Sequence, residues 1–240
     1  MESALKSILD NSNQEHQKIL FYRDKIFKLC KGVYEPSDES YFLAENAEIR
    51  DRDTVLDIGT GTGILAISLA DKARYVTATD VSKRALNCAK ENARINNVLN
   101  INFRKGSLFN PVKGKQFDLI FSNTPHIPSP RTSYNEYVRM NVDGGTDGRR
   151  CIDQLIKEAK DHLNEGGRIQ LVQSHVANIE KTLSGFSQNG LAAKVTAEKI
   201  EPFGRTGCER IEYFKSLGID IEYDKGTPLE KVCIITARRE

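Results

Sequence analysis

Residues 55–64 of the chain read Val55-Leu56-Asp57-Ile58-Gly59-Thr60-Gly61-Thr62-Gly63-Ile64, an apolar run followed directly by three glycines at alternate positions. The apolar run predicts a buried strand, and the segment after the glycines predicts a helix. Glycines at this spacing let the backbone turn tightly and approach a ligand without obstruction by Cβ atoms. A strand, a glycine loop and a helix in this order indicate an open α/β sheet that binds a ligand at the end of its first strand.

The rest of the chain alternates between strand and helix patterns, as expected of a parallel sheet covered by helices on both faces. The expected fold is therefore α/β, a doubly wound, Rossmann-like and mostly parallel sheet of seven strands. Strands are predicted at 54–58, 75–79, 101–103, 117–122, 168–173, 192–200 and 232–237, and helices at 63–71, 82–96, 150–164, 176–188 and 207–217. A long loop is expected from Asn123 to about Arg149, and loops of that length usually carry function.

The first 32 residues are expected to form a short helical extension, and residues 33–240 a single α/β domain. Ser12 and Glu15 have capping-box spacing. An apolar stripe of helical period then extends to Gly32, made of Ile19, Leu20, Tyr22, Ile26, Phe27 and Leu29. Such an extension is expected to act as a helical lid or brace, and residues 14–45 are expected to cover the substrate side of the domain.

The composition is that of a globular protein without a marked preference for polyanions. Hydrophobic residues make up 39% and charged residues 28%, and 35 basic against 33 acidic side chains leave a net charge of +2. This balance gives no strong signal for nucleic acid or a membrane surface. No apolar run approaches the ~18 residues of a membrane span, and the N-terminus lacks a secretory signal. The expected location is therefore the cytoplasm.

The cysteines show neither a metal-binding nor a redox motif. They form no C-x-x-C pair and stand far from the histidines, at Cys30, Cys88, Cys151, Cys208 and Cys233. Reduced structural thiols and no metal site are expected in a cytoplasmic protein.

The glycine spacing and two nearby acids indicate a ligand other than a dinucleotide. In a G-x-G-x-x-G pattern the third glycine would stand at position 64, which is Ile64. Asp57, two residues before the first glycine, would repel a pyrophosphate but can hold an ammonium group. Asp80 ends the second predicted strand, where open α/β sheets bind ligands, and its carboxylate can accept hydrogen bonds from both hydroxyls of a ribose.

The segment Asp57–Gly63 together with Asp80 resembles the first two motifs of class I S-adenosylmethionine-dependent methyltransferases. The resemblance implies that the glycine loop faces the methionine part of S-adenosyl-L-methionine and that Asp80 binds its ribose. Many members carry an acid after the third strand for the adenine, whereas this chain has Gly106-Ser107-Leu108. The implied cofactor contacts are Asp57, Gly59, Thr60, Gly61, Gly63, Asp80, Val81, Ser107, Leu108 and Asn123.

The fourth core strand runs into Asn123-Thr124-Pro125-His126, which resembles the Asn-Pro-Pro-Tyr motif of amino-group methyltransferases. In that family the Asn side-chain oxygen and the next backbone carbonyl accept the two hydrogens of the target NH2, and the aromatic ring stacks on the target. The resemblance implies a catalytic site of Asn123, Thr124, Pro125 and His126, and direct displacement without an enzyme nucleophile or metal. Thr124 supplies the same carbonyl as a proline would, while a histidine can either stack or act as a general base.

Two further segments resemble the HemK/PrmC-type glutamine N5-methyltransferases of release factors. They are the lead-in Val33-Tyr34-Glu35-Pro36-Ser37-Asp38-Glu39-Ser40 and the turn Gly144-Gly145-Thr146-Asp147-Gly148. The turn is expected to be mainly structural, with Asp147 as the cap of the following helix. The resemblance covers about residues 33–173. The extension is too short for the helical domain of the bacterial enzymes, so the chain resembles a short branch of the family.

Three functions remain open at this level. The first is methylation of a protein glutamine amide, with a release-factor-like protein as substrate. The second is N- or O-methylation of a small metabolite or of a nucleic-acid base. A closed pocket would favour a metabolite, and a basic face would favour nucleic acid. The third is cofactor binding without catalysis. The sequence gives no indication of the oligomeric state.

Overall fold

The computed structural model describes residues 18–130 and 141–240, which form the predicted α/β fold. Ser12, Glu15 and the middle of the 123–149 segment lie outside the described residues. The strands and helices are, in chain order, β1 (Lys18–Tyr22), β2 (Lys25–Leu29), α1 (Asp38–Glu45), β3 (Thr54–Ile58), α2 (Ile64–Leu69), β4 (Tyr75–Asp80), α3 (Lys83–Ile95), β5 (Ile101–Lys105), β6 (Phe117–Ser122), α4 (Arg150–Glu158), β7 (Leu163–Ser174), α5 (Ile179–Gln188), β8 (Ala192–Pro202), α6 (Arg205–Cys208), α7 (Ile211–Ser216), β9 (Glu222–Asp224) and β10 (Thr227–Arg238).

The main sheet confirms the doubly wound, mostly parallel prediction. Its strand order is β5-β4-β3-β6-β7-β10-β8, with β9 paired to β10. Strands β3 to β7 pair in parallel, whereas β10 is antiparallel to β7, β8 and β9. The seven predicted strands are all present. The eighth, β9, is not predicted because its three exposed residues carry no apolar alternation.

Helices cover both faces of the sheet because neighbouring strand residues point into two different apolar clusters. Val55 packs in a cluster with residues of α1 and α2, whereas Leu56 and Ile58 pack in a cluster with residues of α4 and α5. With both of its faces covered, the central strand β3 is accessible to a ligand only at its ends. The order of strands places β4 and β6 on either side of it.

The predicted N-terminal helix is wrong for the residues that the structure describes. Residues 18–29 form an antiparallel hairpin of β1 and β2, with Arg23 at the turn in a left-handed conformation. The spacing of the apolar residues is compatible with either structure, but short runs rich in Ile, Phe and Tyr favour a strand. The boundary between an extension at 1–32 and a domain at 33–240 stays a prediction.

Two asparagines, Asn92 of α3 and Asn96 at its C-cap, hold the hairpin in place by completing the free edge of β2. Asn96 exchanges two hydrogen bonds with the backbone of Ile26, at 2.8 and 2.7 Å, and Asn92 exchanges two with the backbone of Lys28, at 2.8 and 3.1 Å. Side-chain amides thus satisfy strand groups that would otherwise be left unpaired beneath the packed hairpin. The hairpin therefore braces α3, which is one of the two roles expected of the extension, and the expectation that residues 14–45 cover the substrate side stays a prediction.

A disulfide between Cys30 and Cys88 adds a covalent link between the end of the hairpin and α3. The expectation of reduced thiols is therefore wrong for this pair, whose Cα atoms lie 6.1 Å apart. The pair is 58 positions apart in sequence, which is why spacing alone does not reveal it. The other cysteines are free: Cys151, Cys208 and Cys233.

Helix α1 is the main element that the sequence analysis did not assign. Ser37 is its N-cap, and the hydroxyl of Ser40 accepts a hydrogen bond from the Ser37 backbone N–H at 3.4 Å. Asp38 and Glu39 occupy the first turn, where negative charge is favourable. None of the helices within 18–130 and 141–240 is long and apolar enough to cross a membrane.

Two predicted helices have different bounds. The helix at 150–164 ends at Glu158 and continues as a 3-10 turn over Ala159–His162. The helix at 207–217 is divided into α6 and α7.

Candidate active site

A cavity of about 480 Å³ opens at the carboxyl ends of β3, β4 and β6, where the sequence places its ligand motifs. Its size is that of a small-molecule site. The chain segments that meet there are the lead-in with α1, the glycine loop, the end of β4, the loop after β5, the substrate motif and the start of α4. They contribute Tyr34, Pro36, Ser40, Ile58, Gly59, Thr60, Gly61, Thr62, Ile64, Leu65, Thr79, Asp80, Val81, Ser82, Gly106, Ser107, Leu108, Asn123, Thr124, Pro125, Asn141, Arg150 and Cys151.

The glycine loop forms one wall of this cavity in a conformation that requires glycine. Gly59, Gly61 and Gly63 all have positive φ, at 80°, 56° and 86°. A Cβ on Gly59 would lie 3.5 Å from the Thr124 side chain, so the loop and the substrate motif are in contact. Gly63 does not line the cavity; a Cβ there would come within 2.9 Å of Ile67 in the following helix, so this glycine allows close packing.

Asp80 lies where its predicted role requires it to be. One carboxylate oxygen accepts the backbone N–H of Gly61 at 3.0 Å, and the other accepts that of Ser82 at 2.8 Å. Burial raises the pKa of Asp80, and these N–H groups oppose the rise. Each oxygen keeps a further lone pair, so the side chain is oriented by the loop and can still accept hydrogen bonds from a ligand.

Asp57 is completely buried and does not line the cavity. Its Oδ2 accepts the Thr60 hydroxyl at 2.7 Å, while its Oδ1 has no hydrogen-bond partner. Burial raises its pKa to about 6. The acid therefore supports the glycine loop from behind, and the contact with an ammonium group stays a prediction.

The predicted adenine side of the site is also part of the cavity wall. Val81, Ser107 and Leu108 all line it, and Leu108 has a positive φ of 46° that turns the chain after β5. A Cβ on Gly106 would come within 2.4 Å of Pro111, so the turn can be this tight only at glycine. The hydroxyl of Ser107 is thus placed in the wall where the related enzymes carry an acid.

Asn123 follows β6 into the cavity, and its side chain is held by α1. Its Nδ2 donates to the Ser40 hydroxyl oxygen at 3.1 Å. Since the amide nitrogen is bound there, the side-chain oxygen Oδ1 is left as the free acceptor. Ser40 is a functional residue that the sequence analysis did not identify, although Ser37 and Ser40 have the spacing of a helix start.

His126 lies behind the cavity wall rather than in it. Its ring is 3% exposed, and both of its nitrogens are engaged: Nδ1 with the Thr124 carbonyl oxygen at 3.0 Å and Nε2 with the Glu39 carboxylate at 3.1 Å. A carbonyl oxygen only accepts, so Nδ1 carries a proton. The stacking role implied for this ring stays a prediction. Glu39 was not identified from the sequence.

The glycine turn at 144–148 packs directly on the substrate motif. The backbone of Gly144 donates to the Ile127 carbonyl at 2.9 Å, and a Cβ on Gly148 would come within 2.5 Å of the His126 carbonyl oxygen. Asp147 accepts the backbone N–H of Arg149 at 3.1 Å within the turn, but the N-cap of α4 is Arg149, so the prediction that Asp147 caps this helix is wrong. The turn is therefore structural in kind, but the segment that it supports is the candidate catalytic loop.

The residues present fit S-adenosylmethionine. The two glycines in the wall leave the backbone open, the oriented Asp80 carboxylate suits ribose hydroxyls, and the cavity has room for the cofactor and a side chain. Fold and site together define a class I, Rossmann-like methyltransferase.

A family model described as "Methyltransferase small domain" matches residues 34–198, and the chain belongs to this family. It is an S-adenosylmethionine-dependent enzyme. A proposed protein N5-glutamine methyltransferase of Methanocaldococcus jannaschii is 37% identical over 179 residues, which cover 73% of this chain and 89% of the relative. The release factor glutamine methyltransferase of Geobacter sulfurreducens is 31% identical, over 77% of this chain and 68% of the relative. That of Aquifex aeolicus is 35% identical, but the chain spans only 58% of its length.

Solved structures agree with the fold. The E. cuniculi Mtq2-Trm112 complex, described as responsible for methylation of the eRF1 translation termination factor, contains a chain with a TM-score of 0.60 and 21% identity, covering 87% of this chain and 99% of that one. M. jannaschii TYW2 in complex with AdoMet has a TM-score of 0.56 and 16% identity, covering 94% of this chain and 88% of that one. At these identities the likeness concerns the fold.

Proposed function

We propose that the protein methylates the side-chain amide nitrogen of a glutamine in a translation release factor. The observation that carries this proposal is the orientation of Asn123, whose Nδ2 is bound to Ser40 so that Oδ1 is available as an acceptor. The adjacent backbone carbonyl, that of Thr124, is the second acceptor. Two acceptors on neighbouring residues suit a primary amide or amine, which has two hydrogens to donate. The names of the M. jannaschii and G. sulfurreducens relatives support the glutamine amide.

When bound, S-adenosylmethionine would supply an electrophilic methyl group on a sulfonium, which leaves as a neutral thioether. An amide nitrogen is a weak nucleophile, and it becomes positively charged as its bond to the methyl carbon forms and the bond from that carbon to sulfur breaks; the nitrogen then loses one of its two hydrogens as a proton to solvent. Acceptors on its two hydrogens therefore bind the transition state more strongly than the ground state. Asn123 and Thr124 are placed to do this, and the narrow cavity would exclude water and hold the reacting groups in line.

The geometry around His126 favours this reaction over methylation of a hydroxyl. A hydroxyl acceptor needs a general base, and such a base must present a free lone pair to the substrate. Nδ1 of His126 is a donor to the Thr124 carbonyl, and Nε2 faces Glu39. Neither nitrogen is available to take a proton from a molecule in the cavity.

The test measures the transfer of labelled methyl groups to purified acceptors and to an extract of the source organism. The extract also supplies any partner subunit that the enzyme needs. Purified release factors, total RNA and a metabolite fraction are incubated separately with the enzyme and methyl-labelled cofactor. Label on a glutamine of a release factor, located by mass spectrometry, is the expected result. Label confined to RNA or to small molecules would overturn the proposal. We place this activity in the cytoplasm, where release factors act.

A further inference from the structure

The contact between Glu39 and His126 is not accounted for by cofactor binding or by the fold. Glu39 lies in the first turn of α1, and His126 lies in the loop after β6, 87 positions away. The pair lies behind the cavity wall, where the His126 ring contacts the Thr124 carbonyl oxygen. Buried charged groups are costly, so a pair like this needs a role or a strong compensation.

The two hydrogen bonds of the ring define its chemical form. The Thr124 carbonyl requires a proton on Nδ1, and the Glu39 carboxylate requires a proton between itself and Nε2. Burial alone would lower the pKa of His126, but the charge of Glu39 outweighs it and the pKa is raised. Burial would likewise raise the pKa of Glu39, yet His126 lowers it. The pair is therefore an imidazolium and a carboxylate with no net charge.

Other charged groups face the pair from the far strands. Glu230 of β10 faces both members, and Lys199 of β8 faces Glu39. Lys199 is itself paired with Glu201 at 2.6 Å. The positive charge of Lys199 favours an ionised Glu39, whereas a charged Glu230 would favour an ionised His126 and disfavour an ionised Glu39; burial and the charge of Glu39 raise the pKa of Glu230 to about 7.

We propose that Glu39 and His126 are positioning residues that fix the Thr124 carbonyl as the second acceptor for the target amino group; this inference rests on the proposed function. A carbonyl oxygen has two lone pairs. His126 occupies one of them and holds the peptide plane, which leaves the other for a hydrogen of the target. The role of Glu39 is to orient the ring and to cancel its charge.

Charge cancellation matters because the reaction itself creates positive charge. The cofactor carries a sulfonium, and the target nitrogen becomes cationic in the transition state. An unpaired imidazolium next to the acceptor would oppose both charges in a site of low dielectric. Glu39 removes this penalty while preserving the N–H that holds the carbonyl.

Helix α1 then aligns both acceptors through adjacent residues. Ser40 binds the Asn123 side chain directly, and Glu39 reaches the Thr124 carbonyl through His126. One rigid element thus sets the relative position of two acceptors that come from consecutive residues of a loop. Such support is what a site needs if its acceptors are to be held within tenths of an ångström.

Variants of both residues separate positioning from general structure. In Glu39→Gln, the glutamine NH2 can donate to Nε2 of a neutral His126 ring, and the Nδ1–H of that ring can still bind the Thr124 carbonyl. The kcat of this variant should therefore stay within about threefold of wild type. Glu39→Ala and His126→Ala should lower kcat about 10- to 50-fold without changing cofactor Kd. His126→Asn, whose amide can replace Nδ1, should recover part of the loss. Glu45→Ala, an exposed change at the end of the same helix, is the control.

Nitrogen NMR of labelled histidine tests the pair without any acceptor. At pH 7 both ring nitrogens of His126 should be protonated in the wild type, and only Nδ1 in Glu39→Gln; the signals are assigned by their loss in His126→Asn. A neutral ring protonated on Nε2 would overturn the inference, as would wild-type kcat on a release factor in both alanine variants. If the wild type methylates no release factor, the proposed function fails, while the NMR result still decides the state of the pair.

Discussion

Asn123 and Ser40 are 83 positions apart in sequence, and a 3.1 Å hydrogen bond from the Asn123 amide nitrogen to the Ser40 hydroxyl oxygen joins the substrate motif to the first turn of α1. The bond restrains the Asn123 amide in the orientation that keeps Nδ2 on Ser40 and leaves Oδ1 as an acceptor. An asparagine that rotated freely would present its NH2 as often as its oxygen, and the NH2 would repel the hydrogens of a target amide. The activity should therefore depend on both residues, to different degrees.

Asn123→Ala should lower kcat roughly 100-fold or more, because it removes an acceptor that is strongest in the transition state. Ser40→Ala should lower it about 3- to 10-fold, the worth of one neutral hydrogen bond. Ser40→Thr retains the hydroxyl and is the control. Cofactor Kd, measured by calorimetry, should hardly change in any of them. Full turnover by Asn123→Ala would contradict the assignment.

Asp80→Ala should weaken cofactor binding at least tenfold, since each charge-assisted hydrogen bond to a ribose hydroxyl contributes roughly 1.5 to 3 kcal/mol. Part of the loss will come from the loop, because Asp80 also binds the backbone N–H groups of Gly61 and Ser82. Asp80→Asn retains one acceptor oxygen and should lose less. Unchanged affinity in a folded Asp80→Ala protein, measured by calorimetry, would show that the ribose lies elsewhere.

Gly148→Ala should damage catalysis through the loop that Gly148 supports. The new Cβ would meet the His126 carbonyl oxygen at 2.5 Å and push the substrate motif away from the glycine turn. Gly166→Ala is a matched control, since both glycines have positive φ, 77° and 70°, but nothing lies within 4 Å of a Cβ at 166. Both variants should lose about 1 to 2 kcal/mol of stability from backbone strain. Only Gly148→Ala should lose turnover, and equal kcat in the two variants would contradict the contact.

The core of this fold could be predicted because its signals are local. Strand β3, its glycine loop and Asp80 lie within one short stretch, and each of the seven predicted strands has an apolar run of its own. The apolar spacing of the hairpin also fits a helix, and although its Ile, Phe and Tyr residues favour a strand, its free edge is completed by Asn92 and Asn96, far along the chain. No local pattern contains that information.

The residues of the site likewise divide into those with a local sequence signal and those contributed by distant segments. Asn123 could be identified from its neighbours in sequence, whereas the groups that orient the motif, Ser40 and Glu39, come from a helix more than 80 positions earlier. His126 shows the limit most clearly. The residue type suggests a ring in the cavity, but its contacts with the Glu39 carboxylate and the Thr124 carbonyl hold it behind the cavity wall.

The asparagines that anchor the hairpin should differ in their effect on function. Asn92→Ala and Asn96→Ala each leave buried backbone groups of β2 without partners, at a cost of about 1 to 3 kcal/mol each, measured by urea unfolding. Asn92 also donates to the Thr62 carbonyl in the glycine loop at 2.9 Å. Asn92→Ala should therefore weaken cofactor binding severalfold as well, and Asn96→Ala should not. Equal cofactor affinity in both variants would contradict the link to the loop.

The buried Asp57 should make stability depend on pH in the direction opposite to a salt-bridged acid. Burial raises its pKa from an ordinary value of 3.8 to about 6. Between pH 3.8 and pH 6, therefore, Asp57 is protonated in the folded state but has already lost its proton in the unfolded state. The free energy of unfolding contributed by Asp57 is therefore highest below pH 4, falls as pH rises through 4 to 6, and is level above. The fall should be about 3 kcal/mol.

Asp57→Asn isolates this contribution from the other carboxyl groups, because its amide oxygen can still accept the Thr60 hydroxyl while the side chain no longer titrates. The stability of wild type minus that of Asp57→Asn, from urea unfolding at several pH values, should decrease between pH 4 and 6. A difference that is constant across this range would show that Asp57 titrates normally. Saturating cofactor should reduce the decrease if its ammonium group contacts Asp57, because a nearby cation favours the ionised carboxylate and lowers the pKa.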